Sequence, residues 1–430
     1  MIIFVINRLI MNRIILIGNG FDLAHGLHTS YSDFIRNYLD LVRLGLTKCA
    51  SNMFDDGLYK ITLKNNGIFG SLDMLVTTPE TPESDDWRQY LVTRDQTHYV
   101  TINKCRLMDH ILYNMSNKNW VDIENEYYLL LKNSESCFDN NVSDLNKNMS
   151  CLREKLSGYL HTIQDKYIKR EIYKRSIESI IYAPINYRDI SEDGKVRFNQ
   201  FLSRKWNSAN KAGISSALKE IGLNNNEQIH LAVEYRGGQF KNELDLLQDV
   251  KDNERGTNVP YYYLAPDNIM MLNFNYTNTA KMYHRGGAHI SINHIHGELD
   301  NPNNPIIFGY GDELDEGYRI LQNKNDNRYT ENFKSIRYLE TDNYKKLLSF
   351  INSDIYQVYI LGHSCGNSDR TLLNTLFEHP NCVSIKPYYY QRTDGSDNYM
   401  EIVQNISRDF NDMTKMRDRV VNKTYCEIIK

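Results

Sequence analysis

Short apolar runs that end in small or polar residues recur along this chain. The first covers residues 14–17 and stops at Gly18-Asn19-Gly20. An uninterrupted apolar run of this length is typical of a strand buried on both faces of a parallel sheet. The second half contains further predicted strands at residues 268–274, 289–296, 305–308, 354–361 and 382–390. Several of these strands end in Gly, Asn, His or Ser, and ligands of open parallel sheets bind at the carboxyl ends of the strands.

Between these strand regions, residues 103–247 have mostly helical periodicity. The pattern predicts an α/β fold with a mostly parallel sheet and a large helical insertion. We expect an α/β domain at residues 11–50 and 262–430, in which the Gly18-Asn19-Gly20 turn is the candidate nucleotide-binding segment. Residues 51–261 would form a mainly helical insertion that covers a pocket.

One predicted helix carries an apolar side and an acidic side. Its apolar positions are Trp120, Ile123, Tyr127, Leu130 and Leu131. Its acidic positions are Asp122, Glu124 and Glu126, for which a solvated acidic face is the preferred interpretation. The alternative places Glu124 at a pocket rim, where it would hold a ribose hydroxyl.

Composition narrows the class of protein. The 430 residues are 41% hydrophobic and 24% charged, which is typical of a soluble globular protein. A net charge of −4 gives no bulk attraction to nucleic acid or to an anionic membrane. The seven cysteines include no C-x-x-C pair, so we expect reduced thiols and a cytoplasmic protein rather than a zinc ribbon or a secreted disulfide framework. The first ten residues are too short to span a bilayer, and we expect Met11 to be the natural start.

The glycine turn after the first strand is a candidate phosphate site. Gly18 and Gly20 allow a phosphate to approach the backbone, whose N–H groups bind anions. Asp22 is either a helix cap or a side chain turned toward the ligand. Leu23 occupies the third position of G-x-G-x-x-G, so the dinucleotide fingerprint is incomplete.

Two later segments supply candidate catalytic groups. On a strand, Asn273 and Asn275 would face the same side and could place a ribose or a water; the alternative is an Asx-turn that caps the strand. His294 and His296 would share a strand face, and histidine is the usual general base near neutral pH. A His-x-His pair also suits a metal, but no carboxylate set completes such a site.

Residues 362–366 match the G-x-S-x-G nucleophile elbow of serine hydrolases. Ser364 would be the nucleophile. That fold requires an acid and then a histidine downstream, and His379 alone follows Ser364 in the sequence.

The string Gly-Asn-Gly-Phe-Asp-Leu-Ala-His-Gly-Leu from Gly18 resembles the bacteriophage abortive-infection AbiH family, whose members are implicated in defence against phage. Its glycine spacing, with Asn-Phe-Asn, His-Gly and Gly-His-Ser in the same order, also resembles sirtuin-like NAD-cleaving domains. This resemblance implies a sirtuin-like Rossmann fold with Asn275 and His296 as catalytic residues. Thr277 departs from it, because the pattern has Asp there. The implied cofactor-binding residues are Gly18, Asn19, Gly20, Phe21, Asp22, Gly26, Thr277, Gly362, Ser364 and Asp369.

The resemblance implies an effector that hydrolyses NAD to nicotinamide and ADP-ribose, with NAD as substrate and no metal. The enzyme interpretation is preferred. One alternative is a sensor or scaffold that binds NAD or ADP-ribose without cleaving it. Another is a hydrolase or nuclease that uses Ser364 or a metal. Expected partners are the nucleotide and either a second copy of the chain or a phage-derived or defence-system protein.

Overall fold

Five parallel strands form the main sheet of the protein. The structure is a computed structural model that describes residues 10–48, 53–63, 99–103, 105–118, 122–135, 142–167, 172–212, 242–252, 259–285 and 289–429. Its strands are β1 (Met11–Ile17), β2 (Met53–Asp55), β3 (Lys60–Leu63), β4 (Tyr99–Asn103), β5 (Asn268–Asn273), β6 (Ile290–His294), β7 (Ile355–Leu361) and β8 (Cys382–Tyr388). The main sheet has the order β6-β5-β1-β7-β8, and every pairing in it is parallel. The prediction of an α/β fold with a parallel sheet is confirmed.

Strand β1 lies at the centre, paired with β5 on one side and β7 on the other. All seven of its residues are buried, as are those of β7 and β8. Counted in chain order within this sheet, the strand order is 3-2-1-4-5. Doubly wound nucleotide-binding sheets share this order, and their ligands lie where the order reverses. Here the order reverses between β1 and β7, so the loops after these two strands are neighbours.

The helices lie between and beyond these strands. They are α1 (Asn19–Ala24), α2 (Tyr31–Lys48), α3 (Arg106–Lys118), α4 (Ile123–Lys132), α5 (Val142–Tyr167), α6 (Arg175–Ile181), α7 (Lys195–Ala212), α8 (Glu243–Asp252), α9 (Tyr261–Leu264), α10 (Glu316–Gln322), α11 (Lys334–Arg337), α12 (Asn343–Ser353), α13 (Arg370–Phe377), α14 (Tyr399–Arg408) and α15 (Met413–Arg419). Helices α3 to α8 fall in the region of predicted helical periodicity. In the part of the chain that the structure describes, no helix has the length and apolar character needed to cross a membrane.

The chain divides into two compact units. Unit 1 contains Met1–Gly26, Ile168–Ile306 and Tyr338–Lys430, and unit 2 contains Leu27–Tyr167 and Ile307–Arg337. Unit 1 is built on the main sheet. Unit 2 contains α2 to α5 and the three antiparallel strands β2, β3 and β4. The domain boundaries expected from the sequence stay a prediction.

Two expectations from the sequence are wrong. Residues 305–308 do not form a strand; they are an irregular segment in which Ile307 and Phe308 are buried. The acidic side of α4 is not a solvated face, because Glu124 and Glu126 are each only 5% exposed. Within unit 2, Glu124 accepts hydrogen bonds from the Gly309 N–H at 3.0 Å and from Lys334 at 2.9 Å. Trp120 and residues 1–9 lie outside the described residues.

Candidate functional site

The glycine turn after β1 packs directly on the loop after β7. The Gly20 N–H donates to the Gly362 carbonyl at 2.8 Å, and the Gly18 N–H faces the Leu361 carbonyl at 3.5 Å. A Cβ on Gly362 would lie 2.1 Å from the Phe21 nitrogen, and one on Gly18 would lie 2.6 Å from the His363 Cα. The glycines therefore let two backbones touch. Two amides of the turn are already hydrogen-bonded within the protein, and contacts of Gly18, Asn19 and Gly20 with a nucleotide stay a prediction.

The next three predicted residues lie on helix α1 or directly after it. Phe21 is fully buried in the apolar core of unit 1. Gly26 follows the helix, is exposed and has a φ of 76°. Asp22 is 1% exposed, and its Oδ2 accepts a hydrogen bond from the Thr277 hydroxyl at 2.6 Å. Burial raises the pKa of Asp22 to about 6, although the Thr277 hydrogen bond acts to lower it.

Beyond β5, the two asparagines have different roles. The Asn275 N–H donates to Oδ1 of Asn273 at 3.0 Å, so the Asx-turn alternative is present. Strand β5 ends at Asn273, so the expectation that both side chains share one strand face is wrong. The Asn273 amide also lies 3.1 Å from Nδ1 of His294. The Asn275 amide donates to the Gly18 carbonyl at 3.0 Å, which ties this predicted catalytic residue to the glycine turn.

His294 ends β6, and His296 lies in the turn that follows, so the two rings do not share a strand face. The turn requires Gly297, which has a φ of 89° and on which a Cβ would lie 2.1 Å from the Pro305 carbonyl oxygen. Burial lowers the pKa of His294. Among the described residues, no group of three or more His, Cys, Asp or Glu side chains has an arrangement that could hold a metal ion.

The fold brings His296, in the turn after β6, next to Asp369, in the turn before α13. Nε2 of His296 lies 3.1 Å from Oδ1 of Asp369 and 3.2 Å from the hydroxyl of Tyr338. The other carboxylate oxygen of Asp369 lies 3.6 Å from Nε2 of His363. The ring of Phe274 packs against both imidazoles, with centroid distances of 5.0 Å to His296 and 4.1 Å to His363. Asp369 therefore contacts a general-base candidate directly.

Ser364 does not have the surroundings of a hydrolase nucleophile. It is exposed, and its neighbour His363 accepts the Cys365 N–H on Nδ1 at 3.0 Å. His379, the histidine expected to serve it, packs against Tyr356 near the start of β7, whereas Ser364 follows the end of that strand. Gly362, the other predicted residue of this loop, has a φ of 79°.

Sequence reasoning missed His363 and Tyr338. The elbow motif drew attention to Ser364, so the histidine beside it was treated as a spacer. Tyr338 follows α11, far from His296 in sequence, and no spacing rule connects them. A histidine two residues after a predicted core strand is the sequence signal that could have identified His363.

A five-stranded parallel sheet with carboxyl, amide and imidazole groups beyond the ends of β1, β5, β6 and β7 defines an α/β protein with a polar site at its strand ends. The chain matches the family model "Bacteriophage abortive infection AbiH" over residues 14–390. It belongs to this family, which places it in phage abortive infection, a form of antiphage defence. Comparison with curated proteins and with solved structures gives no match.

Proposed function

We propose that this AbiH protein is an NAD glycohydrolase that releases nicotinamide and ADP-ribose during abortive infection. One observation carries the proposal. At the carboxyl ends of the strands, Asn275 after β5 lies against the glycine turn after β1, and His296 after β6 lies against Asp369, which follows β7. The strand order is shared with doubly wound nucleotide-binding sheets, and that part of the support is an analogy of fold.

The chemistry suits these groups. Water adds to C1′ of the nicotinamide ribose as the C1′–N bond breaks. The bonding electron pair moves onto the nicotinamide ring, which leaves as a neutral molecule and requires no strong acid. His296 accepts the proton that the attacking water loses, while Asn275 orients the water and the ribose. The transition state has oxocarbenium character, as in glycoside hydrolysis.

Asp22 adds a second titratable group close to Asn275. Its buried carboxyl is held by Thr277, the position at which the sirtuin-like pattern has an acid. A carboxyl with a pKa of about 6 is suited to exchange a proton or to accept a ribose hydroxyl near neutral pH.

The test is nicotinamide release from NAD by the purified protein, with chelator present. We expect Asn275→Ala and His296→Ala each to lower the rate by about 100-fold or more. Asn352→Ala and His161→Ala, which alter exposed side chains, serve as matched controls and should retain the wild-type rate. An effector of this kind must be restrained before infection, so the purified protein lacks its trigger. NAD levels are therefore also measured in infected cells that contain the wild type or each variant.

Other outcomes separate the alternatives. Binding of NAD or ADP-ribose without turnover, in vitro and in infected cells, would favour the sensor. Activity on another substrate that depends on Ser364 or on a divalent metal would favour the hydrolase or nuclease. Neither binding nor turnover in either setting would refute the nucleotide proposal.

A further inference from the structure

The loop Gly362 to Cys365 has an unusual backbone. Gly362 and Cys365 both have positive φ angles, 79° and 53°. Cys365 is a non-glycine residue that is fully buried, and such a conformation persists only where the surroundings hold it in place. This conformation brings the Cys365 N–H to Nδ1 of His363 at 3.0 Å.

That hydrogen bond decides which tautomer neutral His363 adopts. A backbone N–H can only donate, so Nδ1 of His363 is the acceptor, and the neutral ring carries its proton on Nε2. Nε2 faces Oδ2 of Asp369 at 3.6 Å. His363 is 6% exposed and Asp369 is 7% exposed, so this contact is formed away from bulk water.

The same carboxylate faces Nε2 of His296 through its other oxygen, Oδ1, at 3.1 Å. A carboxylate on Nε2 favours the tautomer of His296 with the proton on Nε2. Phe274 packs on both imidazoles and covers one side of the group.

We propose that His363 is a positioning residue for the reaction, which orients Asp369 and thereby fixes the proton of His296 on Nε2. The inference rests on the proposed NAD cleavage. It also gives the Gly-His-Ser-Cys-Gly motif a function in which the histidine, rather than the serine, is the important residue.

Two substitutions at one position test it. His363→Asn keeps an acceptor where Nδ1 lies and can still bind the Cys365 N–H, but its amide is too short to reach Asp369. His363→Gln extends an amide N–H toward Asp369 and loses the acceptor for Cys365. We expect kcat for nicotinamide release to fall about 10- to 100-fold in His363→Asn with KM within about twofold, and to fall less in His363→Gln.

The control is His161→Asn, which removes an exposed histidine that lies 3.2 Å from Asp165. It should leave kcat unchanged. Thermal unfolding of each variant separates loss of fold from loss of positioning. A wild-type kcat in His363→Asn, or equal losses in both His363 variants, would overturn the proposal.

A second measurement does not depend on turnover. Long-range ¹H–¹⁵N spectra of protein labelled in histidine report the tautomer of each ring, with His296→Gln used for assignment. We expect His296 as the Nε2–H tautomer in the wild type and a mixture of tautomers in His363→Asn. An Nδ1–H tautomer in the wild type, or no change in the variant, contradicts the inference. Lack of NAD cleavage with the expected spectra would refute the proposed function alone.

Discussion

The two ends of the main sheet hold buried carboxyl groups in opposite surroundings. At the amino end, Asp267 contacts Arg204 at 2.5 Å and Lys205 at 2.8 Å, and accepts the Met11 N–H. At the carboxyl end, Asp22 accepts from a threonine hydroxyl and Asp369 contacts two histidines.

The groups that contact each buried carboxyl decide whether its pKa lies below or above the ordinary value. Burial acts to raise the pKa of Asp267, but Lys205 and Arg204 outweigh it, so the pKa lies below its ordinary value. Asp22 lacks such cations among the described residues, and burial raises its pKa to about 6. A carboxylate paired with arginine and lysine stabilises the fold, whereas one with neutral or titratable partners keeps its capacity for chemistry.

The largest loss of stability is expected at the carboxyl end of the sheet, where the glycine turn after β1 packs on the loop after β7. Gly362→Ala would place a Cβ 2.1 Å from the Phe21 nitrogen at a φ of 79°. Overpacking and backbone strain together should lower the free energy of unfolding by about 3–5 kcal/mol. Urea unfolding followed by circular dichroism measures the loss.

Gly26→Ala is the matched control, because Gly26 has a similar φ of 76° and nothing lies within 4 Å of the added Cβ. Strain alone should cost about 1–2 kcal/mol. Equal losses of unfolding free energy in Gly362→Ala and Gly26→Ala would mean that the loops after β1 and β7 are not closely packed.

A smaller loss is expected at the amino end. Asp267→Asn leaves Arg204 and Lys205 without their carboxylate and should cost about 3 kcal/mol at pH 7. The folded pKa of Asp267 is depressed, so its contribution is present above the unfolded pKa and is lost as the pH falls through the folded value. The unfolding free energies of wild type and variant should therefore converge in acid. Asp342→Asn, at an exposed ion pair with Lys346, should change little.

At the carboxyl end the corresponding change should act in the opposite direction. The folded pKa of Asp22 is raised from 3.8 to about 6, so ionisation disfavours the folded state and wild-type stability falls as the pH rises from about 4 to about 6. Asp22→Asn removes this penalty and should gain about 1–3 kcal/mol at pH 7, with slower nicotinamide release. The same pH dependence of the unfolding free energy in wild type and Asp22→Asn would show that Asp22 does not differ from Asp267 in the way proposed.

Much of the sheet could be predicted from the sequence because β1, β7 and β8 are buried on both faces. Uninterrupted apolar runs such as residues 14–17 are typical of the central strands of an α/β chain. Residues 305–308 have a similar apolar character but lie where the chain leaves unit 1 for unit 2. An apolar run shows that a segment is buried and does not show whether it pairs with another strand.

The site was only partly predictable, because its contacts join distant segments. His296 and Asp369 were each named from short motifs, yet only the fold shows that they touch. The buried Glu124 was misjudged because its partner Lys334 is far along the chain. Helical spacing reports which side a residue occupies and gives no information about what another segment places there.

The order of the strands along the chain sets the time at which the candidate site can assemble. Ile17, at the end of the first strand, pairs with Asn273 and Leu361. At about 5–20 residues per second, a ribosome needs about 20–70 s to proceed from Ile17 to Leu361. Until then β1 has β5 beside it but lacks β7, its neighbour on the other side, and Asp369 has not been made. A growing chain on the ribosome therefore carries no assembled candidate site.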